Sequence, residues 1–345
     1  MAPKKVTIKD IAKLARTSRG TVDRYLNGRG KVSPEVAKRI EAAIQEAGYT
    51  PNLAARSLHY SMNSMAVGVI LANVGNTFFD LIKQGIDDEY QRNKDSGVHL
   101  IYKKVALFDK EGILKAIEEL KEEGIKALLI TSFEDDDIVK AVDDLGVVTV
   151  ALNIDLPLKN KIAYVGPDYR NSGRLSANFA NLILPSGKAL IVLGGYAHTG
   201  QKERVEGFKD GLKPTIEIEG AVENKDDDKI SYKAVSEYLE KNAVDLVYFS
   251  GGGVKGGLKA VKDSDQRPLV VTVDESDATM AGLKSGAVAG SVVQHPFTQG
   301  RLAMQDIYDC LLRRKAVKPN RIVENSVILK ESMIPHKIED TKEVS

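Results

Sequence analysis

"MAVGVILANVGNTFFD", residues 65–80, changes character twice. Its first eight residues are apolar and include the β-branched Val67, Val69 and Ile70, the mark of a strand buried on both faces. Gly75 and Asn76 break the run, and helical spacing then extends from Thr77 to about residue 94. The same order repeats downstream. "VHLIYKKV" (98–105), "ALLIT" (127–131) and "VVTVALN" (147–153) read as strands with helices between them. A second series begins after Tyr164: helix 169–184, "ALIVLGG" (189–195), helix 201–212, "IEIEGAVE" (216–223), helix 229–242, "DLVYFS" (245–250), helix 253–263 and "LVVTVD" (269–274). Strands alternating with helices predict parallel sheets of the doubly wound class, and two series predict two similar α/β lobes.

In such folds ligands sit beyond the carboxyl ends of the strands. Those ends carry Asn76, Phe78 and Phe79 after the first strand, then Asn153, Ser250 and Asp274, with Gln294 after "VAGSVV". Lys202 and Arg204 open a helix behind "GGYAHTGQ" (194–201). Aromatic faces and planar hydrogen-bonding groups suit a polyhydroxylated ring. Any one of these residues alone reads equally well as a cap or a core residue, so the weight lies in their shared position.

The segment before residue 65 is different. Residues 1–60 hold 12 Lys and Arg against 5 Asp and Glu, a net of +7, and the remainder is −6 although the whole chain is +1. A basic head on an acidic body points to a polyanionic partner for the head alone. Thr7 caps a first helix whose Ile8, Ile11, Ala12 and Ala15 form an apolar stripe. In "TSRGTVDRYLN" (17–27) a helix beginning at Ser18 places Val22 and Leu26 on one face and leaves Arg19, Gly20, Asp23 and Arg24 outward. Ser33-Pro34-Glu35 starts a third helix with Val36, Ile40, Ala43, Ile44 and Ala47 inward. Two short helices joined by a tight turn and braced by a third form a helix-turn-helix, whose second helix enters the major groove N-terminus first. A forked Arg there reads guanine.

Composition excludes several classes. Of 345 residues 43% are hydrophobic and 28% charged, an ordinary globular balance, and Cys310 is the sole cysteine, so there is no disulfide framework. No run approaches a membrane span, and "MAPKKVTIKD" lacks the apolar core of a signal peptide. The cell interior is the expected compartment, with no membrane partner. The five histidines show no metal spacing, "EDDDI" (134–138) and "DDD" (226–228) lack calcium-loop spacing, and no nucleophile elbow occurs. Neither a metal nor a cofactor is expected.

Residues 7–58, "TIKDIAKLARTSRGTVDRYLNGRGKVSPEVAKRIEAAIQEAGYTPNLAARSL", closely resemble the DNA-binding head and hinge of the LacI family of bacterial transcription regulators. The resemblance implies that Arg19, Gly20 and Arg24 read bases, that Thr7, Ser18, Thr21 and Asn27 approach phosphates, and that Leu58 wedges into the minor groove at the operator centre. Asp23 departs from the small hydroxyl residue usual at its position, and a pairing with Arg19 is expected instead. Residues 65–338 resemble sugar-binding periplasmic proteins of the ribose-binding type. That likeness implies ligand contacts from Asn76, Phe78, Phe79, Asn153, Lys202, Asp274 and Gln294. Ile154 stands where the pentose binders carry an Arg, Lys202 replaces a second Arg, and "SGGG" (250–253) removes a side chain common at that strand end.

The implied organisation is a head (1–51), a hinge helix and linker (52–64), a ligand-binding and dimerisation body (65–338) and a tail (339–345). Three crossings near 166, 295 and 325 divide the body into lobe 1 (65–166 and 295–325) and lobe 2 (167–294 and 326–338). The expected protein is a homodimeric, cytoplasmic regulator, a repressor by expectation, that binds a pseudo-palindromic double-stranded operator and answers to a small sugar-like effector. The tail has no heptad repeat to build a tetramer. One motif competes: Gly251, Gly253 and Gly256 follow a strand and precede a helix, with Asp274 at the next strand end, a copy of a dinucleotide fingerprint. The alternative is therefore a sugar-binding or NAD-dependent enzyme carrying a DNA-targeting head.

Overall fold

The computed structural model describes residues 6–27, 32–47, 65–71, 77–106, 109–196 and 199–333. Leu58, Asn76 and the hinge and tail segments lie outside them, as do the side chains of Leu26 and Asn27. The chain divides into two units, the head and the body.

Among the described residues the head is three helices, α1 (Ile8–Leu14), α2 (Arg19–Asn27) and α3 (Pro34–Ala47). Thr7 and Asp10 close a capping box: the Asp10 carboxylate accepts the Thr7 N–H at 2.9 Å, and the Thr7 hydroxyl accepts the Asp10 N–H. Ser18 caps α2 by accepting the Thr21 N–H at 3.0 Å. Ile11, Ala12, Ala15, Val22, Ile40 and Ala43 are buried together, one patch from each helix. Helices this short are marginal alone in water, so this shared core holds them.

The body contains two six-stranded sheets. The first is built from β1 (Met65–Leu71), β2 (Val98–Lys104), β3 (Ala127–Thr131), β4 (Val148–Leu152), β5 (Lys161–Gly166) and β11 (Asn320–Ile322), in the order β11-β5-β4-β3-β1-β2. The second uses β6 (Gly187–Leu193), β7 (Ile216–Glu223), β8 (Leu246–Phe249), β9 (Leu269–Val273), β10 (Gly290–Val293) and β12 (Ser326–Ile328), in the order β12-β10-β9-β8-β6-β7. Apart from β12, antiparallel on β10, the pairings are parallel. The chain passes between the sheets after Gly166, after Val293 and after Ile322.

Helices cover both faces of each sheet. In the first lobe α5 (Lys110–Glu122) and α6 (Asp136–Leu145) cover one face, burying Ile113, Leu120, Ile138 and Val142 against Ile70, Leu128 and Ile130. The helix pair α4 (Thr77–Arg92) and α12 (Pro296–Tyr308) packs tightly in the same lobe, with α12 also against β4 and β5. In the second lobe α7 (Tyr169–Ile183) and α8 (Thr199–Gly211) pair over Ala177, Val205, Phe208 and Tyr248. On the opposite face α9 (Asp228–Leu239), α10 (Val254–Asp263) and α11 (Asp277–Ser285) bury Val235, Leu239, Val254, Ala260 and Leu283.

The pairs α4–α12 and α7–α8 are built alike. A Cβ on Gly85 would overlap the Phe297 carbonyl, and one on Gly300 the Ile82 carbonyl. A Cβ on Gly173 would overlap the Arg204 carbonyl, and one on Gly207 the Arg170 carbonyl. Each pair thus uses one glycine per helix to bring two backbones into direct contact. α4 and α8 are thereby held against α12 and α7, and they carry Phe78 and Arg204 to the cleft.

Candidate functional site

On the head, Arg19, Gly20 and Arg24 are exposed along α2. Ser18 and Thr21 hydroxyls lie 2.8 Å apart, and Arg24 donates to the Thr21 hydroxyl at 3.3 Å. A chain of cap, hydroxyl and guanidinium therefore runs along one side of the helix start. Thr7 and Ser18 act as helix caps, which explains their residue types without any ligand. Asp23 is half-buried on the same helix.

On the body, a cleft of about 590 Å³ opens at the carboxyl ends of both sheets. One lobe lines it with Phe78, Phe79, Phe133, Glu134, Asn153 and Ile154; the other with Tyr169, Gln201, Arg204, Asp226 and Asp274, and Gln294 stands at the second crossing. Phe78 and Phe79 meet edge to face with ring centroids 5.2 Å apart. A second chamber of about 460 Å³ adjoins it, sharing Phe78, Asp226, Gly251, Gly252 and Asp274.

Asn153 and Asp274 occupy twin positions. Each follows the fourth strand of its series, each has a left-handed backbone (φ 67° and 66°), and each gives its N–H to the neighbouring strand, at Val165 and Val292 respectively. Asn and Asp tolerate this conformation better than most residues. Their side chains join one network. Tyr169 donates to the Asn153 amide oxygen at 3.0 Å, and the Asn153 amide nitrogen reaches Gln299 at 3.2 Å and Gln294 at 3.5 Å. Gln294 then donates to the Asp274 carboxylate. Burial pushes the Asp274 carboxyl up, against the pull of Arg204 and the Gln294 amide. Burial likewise raises the Tyr169 hydroxyl, which stays a neutral donor.

Arg204 is 4% exposed, donates to the Ser250 carbonyl at 3.0 Å and stacks over the Tyr169 ring at 4.8 Å. Its Nε has no hydrogen-bond partner. A buried cation with an unused N–H costs stability unless something accepts from it. Asp226 is seated where side chains are missing: a Cβ on Gly194, Gly251 or Gly252 would press on it. It accepts from the Gly252 N–H at 2.6 Å and from the Gln201 amide at 2.9 Å. The glycines of "SGGG" thus make room for a carboxylate arriving from the loop after β7.

The sequence-derived residues divide accordingly. Phe78, Phe79, Asn153, Asp274 and Gln294 line one cleft. Lys202 does not: it is exposed on α8, more than a third of a turn from the face shared by Gln201 and Arg204. The cleft-side cation of that helix is Arg204, so a Lys for Arg replacement at 202 misplaced the charge. Ser250 is buried with its hydroxyl on the Val192 carbonyl at 3.4 Å, and it serves the cleft only through its own carbonyl. Sequence reading missed Phe133, Glu134, Tyr169, Gln201 and Asp226. Phe133 and Glu134 follow "ALLIT" and were open to the strand-end rule; Asp226 follows β7 in the same way.

The glycine run is not laid out for a dinucleotide. Gly252 gives its N–H to Asp226, and Gly256 gives its own to the Asp228 carboxylate at 3.1 Å. These are N–H groups that a pyrophosphate would use. A Cβ on Gly256 would overlap the Asp228 carbonyl, so this glycine serves the packing of α10 on α9.

Residues 7–52 match the bacterial regulatory proteins of the lacI family, and residues 67–315 match the periplasmic binding protein domain. The chain is 24% identical over 337 residues to the HTH-type transcriptional regulator RegA of Clostridium saccharobutylicum, covering 95% of this chain and 99% of that one. It is 28% identical over 250 residues to catabolite control protein A of Priestia megaterium, covering 63% and 74%. Among solved structures, GanP, a glucose-galactose binding protein from Geobacillus stearothermophilus, superposes with a TM-score of 0.71 at 20% identity, over 79% of this chain and 99% of that one. That likeness shows the body's fold.

Proposed function

Since this chain is a LacI-family bacterial transcription regulator whose body belongs to the periplasmic binding protein domain family, we propose that a small polyhydroxylated effector held between its two sheets controls its grip on DNA. The carrying observation is the cleft itself: aromatic rings from one lobe face Arg204, Asp226 and Asp274 from the other across about 590 Å³. Rings stack on sugar C–H faces, and fixed carboxylate and amide groups bond hydroxyls. Binding, with no turnover, is the role of such a cleft. An effector acts through its different affinity for two lobe arrangements.

The head reads an operator in the cytoplasm through the exposed start of α2, with Arg19, Gly20 and Arg24 toward base edges and Thr7, Ser18, Thr21 and Asn27 toward phosphates. A single head makes few contacts and binds weakly and salt-dependently, so a homodimer on a pseudo-palindrome, acting as a repressor, is the working form. Leu58 and the hinge before residue 65 connect the two functions.

Two measurements test this reading. A panel of sugars and polyols should include one that shifts the thermal midpoint of the full-length protein and changes its operator affinity; at a hundred times its Kd it stabilises by about 2.7 kcal/mol. Arg24→Ala should cost about 1–3 kcal/mol at one base position per half-site. A uniform loss over all DNA sequences would instead make Arg24 a phosphate contact.

A further inference from the structure

Two carboxylates in the cleft are armed in the same way. The Gln201 amide oxygen accepts the Gly194 N–H, which turns its nitrogen onto both oxygens of Asp226 at 2.9 and 3.1 Å. The Gln294 amide oxygen accepts from Asn153, which turns its nitrogen onto Asp274. Each glutamine is thus locked in one orientation, and each locks one acid. An amide orients a carboxylate without neutralising it.

Among the described residues neither acid is ion-paired. Arg204, the cation on the cleft wall, donates to the Ser250 carbonyl and stacks on the Tyr169 ring, and it makes no ion pair with either acid although its charge reaches Asp274. Glu134 adds a third carboxylate to the wall, and the adjoining chamber brings Asp228, Glu275 and Asp277 against Lys255. Burial chiefly, and the charge of Asp226 least, push the Asp274 carboxyl up, while Arg204 and the Gln294 amide pull it down.

A phosphate or carboxylate ligand would bring a further negative charge among these groups. A neutral sugar would satisfy hydroxyl geometry and leave the repulsion in place. An ammonium brings up to three N–H donors and a positive charge directly to the same acceptors, neither of which is ion-paired. The unpartnered Nε of Arg204 calls for an acceptor elsewhere on the same ligand, which a ring or hydroxyl oxygen supplies.

Resting on the reading of this cleft as the effector site, we propose that Asp226 and Asp274 together select an effector with one ammonium group on a hydroxylated ring, an amino sugar or aminocyclitol. Asp226 is the residue that sets this specificity, and the glycines at 194, 251 and 252 exist to seat it.

The test is isothermal titration of the full-length protein with D-glucosamine, D-galactosamine and D-mannosamine, their parent hexoses and the hexose 6-phosphates. At least one amino sugar should bind ten-fold or more tighter than its parent hexose, and Asp226→Asn should bring that ratio close to one. The wild-type ratio is read independently of the variant, so a poorly folded variant does not protect the proposal. A parent hexose binding as tightly as its amino sugar, or a 6-phosphate binding best, overturns the charge assignment and leaves the effector cleft standing. No binding by any of these compounds overturns the ammonium assignment, and silence across the wider panel of neutral sugars and polyols overturns the effector reading as well.

Discussion

The two lobes share one strand order and one way of packing helices through glycine, yet they contribute unlike chemistry to the cleft between them. Lobe 1 supplies rings: Phe78 and Phe79 at the start of α4, and Phe133 beyond β3. Lobe 2 supplies most of the charge, Arg204 from α8, Asp226 from beyond β7 and Asp274 from beyond β9, with Glu134 the one carboxylate that lobe 1 adds to this lining. The twin positions state the difference in one atom, since the acid at 274 is an amide at 153. A repeated scaffold holds two walls, and the strand-end residues, which bear little of the fold, are free to differ. That separation of scaffold from chemistry is the lesson of the pair.

The strongest way to break the parallel is at the glycines. Gly85→Ala in lobe 1 and Gly173→Ala in lobe 2 each push a methyl group against a backbone carbonyl that cannot turn away. Each should cost about 3 kcal/mol, the upper end for overpacking, because a whole helix must shift. Denaturant midpoints of the two variants should fall together. A large loss in one lobe and none in the other would show that the helix pairs are not equivalent.

Exchanging the twins sharpens the comparison. Asn153→Asp removes the donor to Gln299 and Gln294 and installs a carboxylate at a site 6% exposed, against acceptors. Stability should fall by about 1–3 kcal/mol, the cost of unsatisfied buried groups. Asp274→Asn does the reverse: burial disfavours the charge there, so stability should hold or rise while effector affinity drops ten-fold or more. Thermal midpoints and effector titrations of both variants separate the outcomes, and equal effects would mean the twins do the same work.

The smallest effect concerns the edge strands. Lobe 1 ties β11 to α12 through the ion pair of Arg321 with Asp306, whose carboxyl burial pushes up to about 6 despite the guanidinium. A carboxyl raised on folding contributes stability that is complete below its unfolded value and lost as pH rises through about 6. Stability of the wild type relative to Asp306→Asn should therefore decline between pH 4 and 6. A rise over the same interval would mean that the Arg321 attraction outweighs burial.

Much of this molecule was legible in order of residues alone. Runs such as "ALLIT" and "LVVTVD" declare buried parallel strands because apolar β-branched residues fit little else at that length. Thr7, Ser18 and Pro34 declare helix starts because the chemistry of a cap is local. The strand-end rule gathered Phe78, Phe79, Asn153, Asp274 and Gln294, which line one cleft. It failed where direction mattered. Lys202 and Arg204 are both cations at a helix start, and only the seating of α8 through Gly207 decides which one faces inward.

Sequence by itself therefore determined the elements, their alternation into two lobes and the basic three-helix head, since each follows from local propensity and periodicity. Tertiary structure alone decided that Arg204 is the cleft's cation, that Asp226 fills the space left by three glycines, and that two glutamines each hold an acid. The physical reason is that these depend on angles and separations between segments far apart in the chain. A hydrogen bond or a buried charge is set by tenths of an ångström in space, and the spacing of residues along the chain carries no such distance.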